Sequence, residues 1–162
     1  MIWTALILSY VTLARLVELA IARRNTAGLR QIGAIEYGAD HYPWMVALHA
    51  SWLVGLWIFA WGHPLCPLAL AVFAVLQVLR VWVFRTLGKR WTTRILIIPG
   101  ETLVTTGPYR WSRHPNYYVV IGEIAALPLS FGLVAFALLF SLLNALMLLV
   151  RIRAEEAALK LV

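Results

Sequence analysis

The chain has 162 residues, of which 62% are apolar and 13% are charged, and its formal net charge is +7. Soluble domains contain apolar residues at closer to half of their positions, so this composition excludes an ordinary soluble domain and indicates a membrane protein. The positive charge could indicate nucleic-acid binding, but the basic residues stand beside apolar segments and no recognition motif accompanies them. We therefore expect a single membrane-embedded domain over residues 1–162, with no nucleic-acid partner.

Apolar runs of sufficient length predict the membrane spans, because a helix crosses a bilayer with about 20 mostly apolar residues. The first run lacks a basic start and is interrupted by Arg15 and Glu18, so we interpret it as a retained span and not as a signal peptide. A shorter run joins the last long one through Pro128, Ser130 and Gly132, which predicts a helical hairpin. The predicted fold is all-α, with five transmembrane helices: Ile2–Ala22, Pro43–Trp61, Leu65–Phe84, Tyr117–Phe131 and Gly132–Val150.

The distribution of basic residues predicts the orientation of the chain. The link Gly62–Pro64 contains no Lys or Arg. The other connections carry Arg23, Arg24, Arg30, Arg85, Lys89, Arg90, Arg94, Arg110, Arg113, Arg151, Arg153 and Lys160. With five spans all of these residues lie on one side of the membrane, which is the cytoplasmic side by the positive-inside rule. We therefore expect the amino terminus outside and the carboxyl terminus in the cytoplasm.

The first polar motif is GPYRWSRHPNYYVV at Gly107–Val120. Proline is common in the first turn of a helix, so Pro115 predicts the start of the fourth span, with Ser112 or His114 near its cap. The first-turn amides and the helix dipole attract anions, and Arg113 and His114 reinforce that field. The motif therefore predicts an anion site where the fourth helix begins.

The second polar motif is RIRAEE, which continues the fifth span beyond the apolar run. Arg151 and Glu155 are four residues apart and therefore share one helical face. Taken alone, the motif indicates a solvated, salt-bridged helix end. The predicted hairpin, however, returns this helix to the face where His114 lies. An anion site and a cation site would then be adjacent, as a ligand with a carboxylate, an ammonium and an aromatic base, such as S-adenosylmethionine, requires.

The two motifs together resemble a known family. LVTTGPYRWSRHPNY at Leu103–Tyr117, followed by RIRAEEAAL at Arg151–Leu159, resembles the isoprenylcysteine carboxyl methyltransferase family. The WTTRI, PG, GPYR and RHPNY elements, and the lack of a tail rich in Gly and Tyr, are similar to a short bacterial branch that methylates alkylpyrones and alkylresorcinols. The resemblance implies an S-adenosylmethionine-dependent O-methyltransferase in a bacterial cytoplasmic membrane. Its lipophilic acceptor would be a prenylcysteine-type carboxylate or a polyketide-derived phenol or pyrone hydroxyl, and its second product S-adenosylhomocysteine.

The resemblance also implies roles for individual residues in the half of the chain from about 85 to 162. Arg151 matches the arginine that orients the acceptor. Arg94 falls near a further cofactor contact, at a looser spacing. For a hydroxyl acceptor, His114 and Glu123 are the nearest candidate bases. No metal ligand is implied. The implied cofactor residues are Glu101, Thr102, Leu103, Val104, Tyr109, His114, Pro115, Asn116, Tyr117 and Glu155.

Three other functions remain open from the sequence. Sterol-type reductases that use NADPH also carry an Arg-His-Pro-Asn-Tyr motif followed by Gly-Glu, and a phospholipid N-methyltransferase shares the same donor chemistry. A non-catalytic membrane protein would instead spread its polar residues over several depths. Within the spans, Arg15 and Glu18 are expected to form a structural pair, and Gln77 and Asn144 to hydrogen-bond between helices.

Overall fold

The computed structural model describes residues 1–159 and consists of five helices with one small sheet. Lys160 and the two residues after it lie outside the described part. Four of the helices are long and apolar enough to cross a membrane, namely α1, α2, α3 and α5. The elements in chain order are α1 Ile2–Gln31, β1 Ile35–Tyr37, α2 Tyr42–Phe59, α3 Pro67–Leu87, β2 Ile95–Ile97, α4 Pro115–Ser130 and α5 Val134–Leu159.

The helix ends differ from the ends of the apolar runs. Helix α1 continues past Ala22 to Gln31, and α5 continues past Val150 to Leu159, because hydropathy detects the part of a helix that is in lipid and not where its hydrogen bonding stops. Helix α4 has 16 residues, a length of about 24 Å at 1.5 Å per residue. That is shorter than the hydrocarbon core of about 30 Å, so α4 is not among the four long helices.

Helix α4 contains Pro128, which has no amide hydrogen to donate to the carbonyl oxygen of Ile124. The indole nitrogen of Trp52 on α2 donates to that oxygen instead, at 3.3 Å. An unpaired carbonyl is costly in an apolar interior, so Trp52 stabilises a helix that its own sequence would weaken. At the end of α4, the backbone nitrogen of Cys66 donates to the carbonyl oxygen of Ser130 at 2.8 Å, which places this end beside the start of α3.

An ionic network joins α1, α3 and α4 within the bundle. Glu18 accepts from Arg15 at 2.6 Å and from Arg80 at 2.6 and 2.7 Å. One oxygen of Glu123 accepts from Arg80 at 2.6 Å and from Arg15 at 3.0 Å, and the other accepts from Gln77 at 2.6 Å. Two guanidinium groups and two carboxylates make the network neutral, which lowers the cost of charges at membrane depth. The expected Arg15–Glu18 pair is therefore half of a larger cluster.

A two-stranded antiparallel sheet, which the sequence did not predict, lies at the end of the bundle. Glu36 of β1 pairs in register with Leu96 of β2. The side-chain amide of Asn25 near the end of α1 donates to the carbonyl oxygens of Gly88 at 3.1 Å and Trp91 at 2.8 Å. These contacts attach the amino-terminal half of the chain to the segment between α3 and α4, which forms the candidate site.

Candidate active site

A cavity of about 640 Å³ lies at the end of the bundle where α3 ends, α4 begins and α5 ends. Its wall combines the segment 90–105, which includes β2, with the first turn of α4 and the last turns of α5. Leu29 of α1 also contributes, so both halves of the chain build the cavity. A volume of this order is typical of sites for small molecules and cofactors, which run from about 300 to 1,000 Å³.

Ten of the eleven residues that the sequence singled out line this one cavity: Glu101, Thr102, Leu103, Val104, Tyr109, His114, Asn116, Tyr117, Arg151 and Glu155. The exception is Pro115, which faces a different groove between α3 and α4. Pro115 is the first residue of α4, and its neighbours His114 and Asn116 both line the cavity, so Pro115 faces the opposite side of the segment from them. Arg94, which was not counted among these residues because its spacing matches the family less closely, lines the cavity as well.

Arg151 is a buried cation, with 8% of its surface exposed. Its guanidinium donates to the hydroxyl of Tyr117 at 3.2 Å and to the carbonyl oxygen of Thr93 at 2.8 Å, and it contacts the sulfur of Met45 at 2.9 Å. All three acceptors are neutral, and within residues 1–159 Arg151 forms no ion pair with a carboxylate. A charge that is buried without a countercharge is expensive unless an anion binds to it, so the geometry suits an anionic ligand.

Glu155 carries the negative charge on the opposite side of Tyr117. The Tyr117 hydroxyl donates to Glu155 at 2.5 Å while it accepts from Arg151, so one phenol separates the two charges. The imidazole of His114 stacks on the Tyr117 ring, with centroids 5.2 Å apart, and its Nδ1 lies 3.7 Å from Glu155. The cavity therefore presents a cation and an anion side by side, held apart by a hydrogen-bonded tyrosine.

Two buried polar atoms of the cavity lack a hydrogen-bond partner within the described chain, Nε2 of His114 and Oδ1 of Asn116. Buried polar atoms are nearly always paired, so unpaired ones on residues that line a cavity favour a polar ligand beside them. A ligand with ammonium, amine and hydroxyl groups would offer hydrogen bonds to these two atoms. The residues present therefore fit a small polar cofactor such as S-adenosylmethionine.

The loop that covers the cavity is held by two further arginines. Arg90 forms an ion pair with Glu101 and donates to the carbonyl oxygen of Thr102 at 2.9 Å. Arg94 forms an ion pair with Glu36 and lies over the ring of Tyr42 at 3.9 Å from its centroid. These contacts fix a segment that has almost no regular secondary structure.

Tyr109 and Glu36, near the cavity, have shifted pKa values. Burial, reinforced by the charge of Glu155, raises the pKa of Tyr109 well above its ordinary value, so this phenol stays neutral and can donate a hydrogen bond. Partial burial acts to raise the pKa of Glu36, but the hydrogen bonds and charges of Arg94 and Arg30 outweigh it and hold that pKa below its ordinary value. Glu36 is therefore ionised at neutral pH.

One conclusion from the sequence needs correction, and two neighbours of the site were not predicted. Glu123 is not a candidate base, because both of its oxygens are occupied by Gln77, Arg15 and Arg80 and it does not line the cavity. The sequence also gave no sign of Met45 as a neighbour of Arg151, since the two are 106 residues apart. Glu36 was missed as well, and its single charge within a short strand offered no periodic signal.

Comparison with known proteins places the chain in a family. Residues 68–161 match the isoprenylcysteine carboxyl methyltransferase (ICMT) family. The chain belongs to this family. Members of the isoprenylcysteine carboxyl methyltransferase family are membrane methyltransferases that use S-adenosylmethionine, and the chain is an integral membrane protein by its apolar helices and by this membership.

Two relatives in bacteria are similar along nearly the whole chain. The uncharacterized protein YpbQ of Bacillus subtilis is 38% identical over an alignment of 169 residues, which covers 99% of this chain and 97% of the relative. An uncharacterized protein of Haemophilus influenzae is 29% identical over 152 residues, which covers 89% of this chain and 87% of the relative. No solved structure matches the chain. The similarity thus extends through the helices that precede the residues matched by the isoprenylcysteine carboxyl methyltransferase family model.

Proposed function

We propose that the protein is an S-adenosylmethionine-dependent O-methyltransferase that acts on a lipophilic acceptor at the membrane. The proposal rests on one observation: Arg151 and Glu155 line the same cavity. Arg151 is buried and has no ion pair in the described chain, and two residues of the cavity have unpaired polar atoms. Family membership supplies the reaction class. The arrangement of charges supports an acceptor oxygen on the Arg151 side and a cationic donor on the Glu155 side.

The residues proposed to hold the donor surround Glu155. Its carboxylate would bind the ammonium group, and the unpaired atoms of His114 and Asn116 would form further hydrogen bonds. The loop 101–104 and Tyr109 would complete the wall around the adenosine part. When bound, S-adenosylmethionine supplies a methyl group on a positively charged sulfur. Residues of the chain contribute by fixing the reactants in line, and such positioning is worth on the order of 7 to 11 kcal/mol.

Arg151 is proposed to orient the acceptor. Its permanent charge favours an ionised oxygen, and its contacts with Tyr117, Met45 and Thr93 fix the direction of the guanidinium. A carboxylic acid would arrive already ionised. A phenol or enol would lose its proton more readily beside this charge, and His114 is the proposed proton acceptor in that case. Both the prenylcysteine-type carboxylate and the polyketide hydroxyl fit this scheme.

The site is proposed to face the cytoplasm of a bacterial cell. Exposed arginines on the site side, such as Arg23 and Arg85, contrast with the opposite loop between α2 and α3, which has none. That loop contains Cys66, the only cysteine of the chain, and Cys66 is exposed. In this orientation a membrane-impermeant maleimide should label Cys66 in spheroplasts without lysis. Labelling only after lysis would reverse the orientation.

Binding of the product S-adenosylhomocysteine tests the donor site. We expect isothermal titration of detergent-purified protein to give one site, with binding weakened at least about tenfold by Glu155→Ala or His114→Ala, because each loses a hydrogen bond to a polar ligand. Glu156→Ala is the matched control, since Glu156 is exposed and does not line the cavity. Equal binding in all variants would contradict the site, and binding of NADPH in preference would indicate a reductase.

A further inference from the structure

A second groove, of about 390 Å³, lies between α3 and α4 and opens on the outside of the bundle. Its floor is apolar and includes Leu79, Val83 and Val119. Segment 108–115 forms one wall of this groove, while Tyr109 and His114 of the same segment line the candidate active site. The groove therefore lies behind the active-site segment and is separate from the cavity.

The edge of the groove near the site end is aromatic. Trp82 of α3 and Trp111 of the following segment meet edge to face, with ring centroids 5.5 Å apart, and Tyr118 stands on α4. All three side chains are exposed, at 40%, 71% and 64%. Within residues 1–159 neither indole nitrogen forms a hydrogen bond. Aromatic side chains with free polar tips are typical of the level of lipid headgroups.

Two arginines without a countercharge neighbour the aromatic residues of this edge in the chain. Arg85 follows Trp82 by three residues on α3 and so shares its face, and Arg110 precedes Trp111. Both arginines are exposed, and neither forms an ion pair in the part of the chain that the structure describes. Two exposed arginines next to the aromatic residues of an apolar groove between helices match a lipid with a negative headgroup and acyl chains.

We propose that this groove binds an anionic membrane phospholipid. An acyl chain occupies the apolar floor, and the headgroup phosphate accepts hydrogen bonds from Arg85 and Arg110. A second copy of the chain fits less well, because a symmetric pairing through this surface would bring the same arginines together. The lipid would support the segment that carries Tyr109 and His114, but its binding does not depend on the proposed methyl transfer.

Native mass spectrometry of the delipidated full-length protein tests this proposal, with added phosphatidylglycerol or phosphatidylcholine. We expect phosphatidylglycerol to bind about tenfold more tightly or better, and Arg85→Glu with Arg110→Glu to remove that preference. Arg23→Glu with Arg24→Glu is the matched control, because these arginines are also exposed but lie on α1, and it should retain the preference. Leu79→Trp should weaken both lipids by filling the floor.

Several results would overturn the proposal. Equal binding of the two lipids would show that no headgroup site exists. If both double arginine variants lost the preference for phosphatidylglycerol equally, the lipid would be attracted only to a basic surface in general. Unchanged binding in Leu79→Trp would show that the acyl chain lies elsewhere. A dimer that Leu79→Trp dissociates would identify a second copy as the occupant.

Discussion

Arg151 combines burial with three neutral partners, and this combination is expensive for the free protein. Its guanidinium donates hydrogen bonds to three acceptors that carry no negative charge: the hydroxyl of Tyr117, the sulfur of Met45 and the carbonyl of Thr93. The sulfur of Met45 is a weak acceptor, and the Arg151 nitrogen that contacts it therefore gains most from a better partner. An anionic oxygen bound there would recover part of the desolvation cost, which is a physical reason for ligand binding at this residue.

Replacement of Arg151 should therefore affect catalysis more than donor binding. We expect Arg151→Gln to lower kcat/KM for methyl transfer by about 10²- to 10³-fold, the usual loss when one donor to a developing charge is removed. The measurement follows labelled methyl from S-adenosylmethionine to a prenylcysteine carboxylate or an alkylpyrone, beside titration with S-adenosylhomocysteine. Arg153→Gln serves as control, since Arg153 is exposed two residues away. A loss of donor affinity without loss of turnover would contradict the assignment.

At the scale of elements, the sequence predicted the helices better than their connections. Long apolar runs located all five helices, since lipid demands apolar side chains over a fixed length. Arg80 escaped notice as a single charge within such a run, although its guanidinium binds two carboxylates. The strands β1 and β2 have three residues each, too few for an alternating pattern. Their pairing depends on residues about 60 positions apart, which local periodicity cannot reveal.

The candidate site was predictable to a similar extent. The resemblance to the family brought forward ten residues that line one cavity, and the start of α4 and the end of α5, which carry the two motifs, converge there. Their role in donor binding stays a prediction. Spacing could not decide what Glu123 contacts, since Arg15 is 108 residues away along the chain. A carboxylate within a span can be a base or an ion-pair partner, and only the tertiary structure distinguishes them.

The sheet makes stability depend on pH through Glu36. Its pKa is lowered in the folded state, so it stabilises the protein above its unfolded-state pKa of about 4.3 and ceases to do so as the pH falls through the lowered value. We expect Glu36→Gln to cost about 0.5–1 kcal/mol at pH 7, because Arg30 is largely exposed and its pairing is screened by solvent.

Thermal unfolding in detergent measures this effect, with the difference between wild type and Glu36→Gln shrinking below about pH 4. Glu156→Gln is the control, since Glu156 is exposed and has no ion pair among the described residues. A difference that stays constant from neutral to acidic pH would show that Glu36 acts through packing and not through its charge.

For the whole molecule, the ionic network is one connection between the amino-terminal helix and the carboxyl-terminal half. Arg15 and Glu18 belong to α1, which lies outside the region matched by the family model. Arg80 and Glu123 lie inside the matched region. With all four charges present, the network has no net charge. Removing one leaves a net charge inside the bundle, and removing an opposite pair does not.

This balance predicts a strong coupling between Arg80 and Glu123. Glu123→Leu alone should destabilise the protein by about 3–5 kcal/mol, since it leaves two guanidinium groups with one carboxylate. Arg80→Leu combined with Glu123→Leu should cost less than the sum of the single changes, because the Arg15–Glu18 pair remains neutral. Unfolding in mixed micelles measures the stability of the wild type, the two single variants and the double variant. Additive effects would show that the charges do not act as a unit.

The position of Trp52 also bears on how the protein is made. Helix α4 is short and contains both Glu123 and Pro128, so a nascent α4 would enter lipid poorly by itself. The indole that caps its free carbonyl and the arginines that neutralise its carboxylate all leave the ribosome earlier. Synthesis from the amino terminus therefore makes every one of these partners before α4, the shortest of the five helices, emerges.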